Sequence, residues 1–122
     1  MKSSVVLLQG DPAIAQSLTA SLLGSFRSVH AVRSTEELRA SILKHRARVL
    51  ILDMEMASLV EVESLSHEFP GLSVVCTHRL ADEEMWTAAL SAGASDICPT
   101  NDTHSILIAA LHNARETRSV AA

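Results

Sequence analysis

A chain of 122 residues, 48% of them apolar and 20% charged, can bury one hydrophobic core but not two, and its balance excludes an intrinsically disordered chain. The net charge of −4 argues against a nucleic-acid surface, and no apolar run approaches the length of a membrane span. The opening Met1-Lys2-Ser3-Ser4-Val5 has no long apolar segment and no cleavage site, so the expected setting is the cytoplasm.

In chain order, Ser4 to Leu8 reads as a first strand, ended by Gly10 and followed by a helix with Asp11 as N-cap and Pro12 at its first position. Ile14, Leu18 and Leu22 give that helix an apolar stripe up to Gly24. Ser28 to Val32 is a short second strand. Ser34-Thr35-Glu36-Glu37 has the form of a capping box and opens a second helix carrying Leu38 and Ile42. Its basic end, Lys44 to Arg48, complements the helix dipole rather than forming a phosphate patch.

Val49-Leu50-Ile51-Leu52-Asp53 is the stretch around which the rest is arranged. Four consecutive apolar residues running into one carboxylate predict a central strand buried on both faces, with Asp53 at its carboxyl end. Leu59, Val62, Leu65 and Phe69 then mark a third helix stopped by Pro70-Gly71, and Leu72 to Thr77 a fourth strand. Asp82-Glu83-Glu84 start a fourth helix whose inner residues include Met85 or Trp86, Ala89 and Leu90, closed by Gly93. Ala94 to Cys98 is a fifth strand. Asp102 or Thr103 caps a last helix with Leu107, Ala110, Leu111 and Ala114 on one face, before a polar, frayed tail from Arg115 to Ala122.

Strands alternating with helices predict an α/β three-layer sandwich, since parallel strands need crossovers that place helices on both faces. The size fits a flavodoxin-like five-stranded parallel sheet of order 2-1-3-4-5 with five helices, in one domain (residues 1–122, core about 4–116, tail 117–122). Sites in such sheets lie beyond the strands' carboxyl ends.

The order of elements, Asp53-Met54-Glu55-Met56 after the central strand and Ala92-Gly93-Ala94-Ser95-Asp96 before the fifth resemble the receiver domain of bacterial two-component response regulators, CheY-like in fold. The resemblance covers about residues 4 to 116. It implies a phosphoacceptor aspartate at Asp53, an acid pair after the first strand holding Mg²⁺, a hydroxyl after the fourth strand and a lysine after the fifth. The metal and the lysine neutralise the incoming phosphoryl oxygens.

This sequence departs from that pattern at most of those positions. Gln9 and Gly10 stand at the acid pair, with Asp11, read as the helix cap, the next residue; Thr100 and Asn101 stand where Lys-Pro is expected, and Ile97 where the switch aromatic belongs. Ungapped counts from both sides put His78 at the hydroxyl position, although one inserted residue in the next loop restores Thr77. His78 is the favoured assignment, and its imidazolium is expected either to pair with Asp53 in place of the lost cations or to face solvent as an ordinary strand-end histidine.

One carboxylate without partner acids is a weak Mg²⁺ site, and phosphoryl transfer rests on positioning and charge neutralisation. The resemblance therefore implies an atypical, or pseudo-, receiver: a protein-interaction module with a degenerate phosphorylation site, no enzyme activity and weak or absent Mg²⁺ binding. An ordinary phosphorelay receiver using Asp53 is the alternative, and a flavodoxin-like enzyme or ligand-binding module the less favoured one. By the same resemblance, the face of the fourth helix, fifth strand and fifth helix is expected to carry an output domain, a protein partner or a homodimer contact, with Trp86 as an anchor if exposed. Cys76 and Cys98, on neighbouring strands, are expected to be buried reduced thiols.

Overall fold

The computed structural model describes residues 3–121, with side chains through Ala114. Its elements are β1 (Ser4–Leu8), α1 (Pro12–Leu23), β2 (Ser28–Val32), α2 (Thr35–His45), β3 (Val49–Asp53), α3 (Leu59–Glu68), β4 (Ser73–His78), α4 (Glu83–Ala92), β5 (Asp96–Pro99) and α5 (Thr103–Ala121). All strand pairs are parallel and the order is β2-β1-β3-β4-β5. The doubly wound sheet expected from the sequence is the one formed.

The alternation of side chains along each strand divides the core into two layers. Val5, Leu7, Val49, Ile51, Val75 and Cys98 pack against α1 and α5 through Leu18, Leu22, Ile106 and Ala110. Val6, Leu8, Leu50, Leu52, Val74, Cys76 and Ile97 pack against α2, α3 and α4 through Leu38, Ile42, Val62, Leu65 and Ala89. Strands β1 and β3 are buried along their whole length, as central strands with helices on both sides must be.

The helices begin where side-chain oxygens meet unpaired backbone N–H groups. Asp11, Ser34, Ser58 and Asp82 accept from Ala13, Glu37, Glu61 and Met85 N, and Asp102 accepts from Ser105 N, which selects Asp102 over Thr103 as the cap of α5. In the capping box of α2 the Glu37 carboxylate reaches one residue further back than the motif prescribes, to Arg33 N. Gly93 closes α4 at φ 112°, where a Cβ would fall 2.3 Å from Ser66 Oγ, so α3 and α4 meet at a point only glycine allows.

Several boundaries and faces differ from expectation. β4 runs one residue further than the sequence indicates, to His78, and β5 is displaced to Asp96–Pro99. In α5 the innermost residues are Ile106, Ala109, Ala110 and Ala114; Leu107 and Leu111 lie at the edge of the layer because the core centres on Ile106. The helix of α5 is assigned through Ala121, while the side chains expected to form the tail, and Ala122 itself, lie outside the described residues.

Candidate functional site

The carboxyl ends of β1, β3 and β5 open into a cleft of about 810 Å³ lined by Gln9, Gly10, Asp53, Met56, Arg79 and Thr100, with Asp11, Pro12, Ile14, Glu55 and Asn101 around them. Side-chain parity explains which groups meet there. Gln9 continues the face of Val5 and Leu7, Asp53 that of Ile51, Thr77 that of Val75, and Thr100 that of Cys98, so all four project on the side of α1 and α5.

Asp53 is 2% exposed, yet no cationic side chain bonds it among the described residues. Gly10 N donates to Oδ2 at 2.9 Å and Glu55 N to Oδ1 at 2.9 Å. A Cβ at Gly10 would stand 3.2 Å from both Asp53 Oδ2 and Met56 Sδ, a tight approach that would oblige one of them to shift by a few tenths of an ångström. Met56 thus fills the space into which a longer side chain at position 10 would extend.

The register of β3 and β4 corrects the assignment of the hydroxyl. Asp53 pairs with Thr77, not with His78. Thr77 is fully buried and its Oγ1 accepts from Gln9 Nε2 at 3.4 Å. His78, one residue later, faces the opposite side of the sheet, where Leu80 N donates to its Nδ1 at 2.9 Å. No Asp53–His78 hydrogen bond or ion pair forms among the described residues, because neighbouring residues on a strand point to opposite faces.

Thr100 reaches the cleft from the turn after β5 and is 3% exposed, with its Oγ1 lacking any hydrogen-bond partner among the described residues. Asp11 is exposed and its carboxylate caps α1 through Ala13 N, the role read from the sequence. Two features of the cleft went unread in the sequence: the thioether of Met56 against Gly10, and Arg79, which binds Glu55 at 2.7 Å across the mouth. Arg79 is the one cation lining the cleft among the described residues. Its position one residue beyond β4 was the available signal.

The fold is that of a response-regulator receiver domain. It superposes on the beryllofluoride-activated receiver domain of DrrB from Thermotoga maritima with a TM-score of 0.82 at 16% identity, covering 94% of this chain and 99% of that one. The N-terminal signal receiver domain of a two-component response regulator from Bacteroides fragilis matches with a TM-score of 0.84 at 20% identity over 93% and 98% of the two chains. NtrX from Brucella abortus matches with a TM-score of 0.86 at 16% identity over 97% of this chain, which spans 27% of that larger one. No family model and no curated protein matches the sequence.

The receiver fold implies a divalent metal beside the aspartate, and the residues present do not fit one. Gln9 and Gly10 supply no carboxylate, Met56 presents sulfur and carbon to the space above Gly10, and no group of three His, Cys, Asp or Glu side chains converges among the described residues. Among the described residues no helix is long and apolar enough to cross a membrane.

Proposed function

We propose that this domain acts in signal transduction as a protein–protein interaction module, a receiver fold with a degenerate phosphorylation site. The observation that carries the reading is the surroundings of Asp53: among the described residues only backbone N–H groups bond its carboxylate, and Gln9 and Gly10 stand where the metal-binding acids are expected. Phosphoryl transfer is catalysed by positioning and charge neutralisation, and each missing group removes part of that stabilisation. The partner surface in this reading is the face of α4, β5 and α5, where Trp86 and Ile108 are about half exposed; it takes an output domain, another protein or a second copy.

A second reading, an ordinary phosphorelay receiver, is supported by Asp53 itself, placed at the carboxyl end of the central strand in an open cleft. Incubation with acetyl phosphate and Mg²⁺, read by intact mass, separates the two. The interaction-module reading expects no adduct at Asp53 under conditions that label a functional receiver to completion. A stable adduct, with amide shifts reaching α5, establishes the second reading instead.

A further inference from the structure

Buried charge in a folded protein is ordinarily matched, and the cleft contains a carboxylate and a hydroxyl that are not. Asp53 uses two of its roughly four acceptor positions on backbone N–H groups, and no cation bonds it among the described residues. Thr100 Oγ1, on the wall of the same cleft, has no hydrogen-bond partner among the described residues. Arg79 is committed to Glu55 at the rim, leaving Asp53 and Asp11 to give the cleft its negative sign.

We propose that this cleft binds a primary alkylammonium group, the head of a lysine side chain or of a free alkylamine. An ammonium brings three donors and no acceptor, which suits the free lone pairs of Asp53 and the unmatched oxygen of Thr100. Pro12, Ile14 and Met56 supply an apolar wall along which the methylene stem lies while its head reaches the carboxylate. A divalent metal is poorly served where no group of three His, Cys, Asp or Glu side chains converges among the described residues, and an anion meets the wrong charge.

The inference rests on the interaction-module reading and gives its cleft a ligand. The test follows amide resonances of the protein at constant ionic strength during titration with n-butylammonium, Nα-acetyl-lysine methylamide and 1,4-diaminobutane, with tetramethylammonium as control. The expected result is saturating shifts at Gly10, Glu55, Thr100 and Asn101 with the primary amines and none with the control. Asp53→Asn is expected to weaken binding about tenfold or more, and Thr100→Val about threefold, the scale of one charged and one neutral hydrogen bond. Tighter binding of the lysine derivative identifies a partner's side chain as the source, and tighter binding of the diamine a free amine.

Shifts that fail to saturate, that match those with tetramethylammonium, or that persist unchanged in a folded Asp53→Asn variant overturn the proposal. Running the acetyl phosphate incubation on the same sample keeps the two failures apart. An Asp53 adduct removes the functional reading, whereas a cleft that accepts neither phosphoryl group nor amine removes the ammonium site alone.

Discussion

The two ends of the sheet carry polar groups in comparable number and treat them in opposite ways. At the amino end, Ser4 Oγ and Ser28 Oγ lie 2.8 Å apart, and Ser28 Oγ lies 2.9 Å from His30 Nε2. The His30 ring stacks on His45 at the end of α2 with centroids 3.3 Å apart and planes 6° from parallel. At the carboxyl end, Gln9 and Thr77 share one long bond, Asp53 is held by backbone alone, and Thr100 Oγ1 has no partner among the described residues. The same strands β1 and β3 run between these ends without a break in burial. The difference locates function: a cluster that only consolidates the fold is matched internally, while a binding end keeps donors and acceptors for something else, at a cost in stability.

The interior shared by the two ends sets the energetic scale against which each is measured. Leu50→Ala, at a fully buried position between the two ends, is expected to cost about 3 kcal/mol in urea unfolding, the loss of transfer energy plus a cavity. The two buried threonines at the carboxyl end, Thr77 beneath the cleft and Thr100 on its wall, then form a pair with opposite signs. Thr77→Val removes the acceptor of Gln9 Nε2 and is expected to destabilise by about 1–2 kcal/mol, because a buried amide is left unpaired. Thr100→Val removes a hydroxyl without a hydrogen-bond partner among the described residues, and is expected to stabilise by up to about 1 kcal/mol. Equal shifts of the same sign at both positions would contradict the idea that the carboxyl end is selectively unmatched.

At the amino end the expected response is to acid. Burial, then the charges of His45 and Lys44, hold His30 below its ordinary 6.5. A histidine whose folded-state value is lowered favours the neutral form in the native protein, so the unfolded chain takes up the proton first. The stability it contributes is whole above pH 6.5 and declines as pH falls from there through the folded-state value. Urea midpoints should therefore drop between about pH 7.5 and about pH 5.5, and His45→Ala should flatten the drop by removing one of the repelling charges. A profile unchanged by His45→Ala would detach the stacked pair from the pH response.

How much of this was legible in the sequence depended on the range of the signal. The run Val49 to Asp53, the N-caps at Asp11 and Ser34, and Gly93 are local, and each produced the element it predicts, whereas Asp82, read as a first-turn acid, turned out to be the cap of α4. Register was not local. Placing His78 rather than Thr77 beside Asp53 turned on one residue in the loop before α4, and a one-residue slip exchanges the faces of a whole strand. On α5 the sequence reading placed Ala110 and Ala114 on the inward face, where they are, but took Leu107 as its leading residue instead of Ile106, because Ile106-Leu107-Ile108-Ala109-Ala110 is one unbroken apolar run that leaves the stripe broad. Met56 against Gly10 and the unmatched Thr100 Oγ1 are products of tertiary packing, for which a single sequence holds no pattern.

The smallest expected effect concerns the cysteines. Cys76 pairs with Ile97, and Cys98 with Thr77, so the thiols are one step out of level on adjacent strands, and they belong to opposite layers of the core. Burial pushes Cys76 up to about 12, with Cys98 adding to it; burial likewise pushes Cys98 up to about 12, with Asp96 and Asp102 adding to it. Since the thiolate is the nucleophile, neither residue should react with a disulfide reagent at about pH 8 while the domain is folded, and both should react in denaturant. Raised values carry a second consequence of fixed sign: the unfolded chain loses its thiol protons first, so this contribution to stability is full below pH 9.0 and declines as pH rises toward about 12. Of the two, Cys98 reports on the cleft more directly, because its Sγ donates to Ser105 O in the first turn of α5, three residues beyond the cap Asp102 that follows Thr100. If occupation of the cleft by an amine loosens that turn, Cys98 becomes reactive while Cys76 stays silent; equal silence confines the response to the cleft wall.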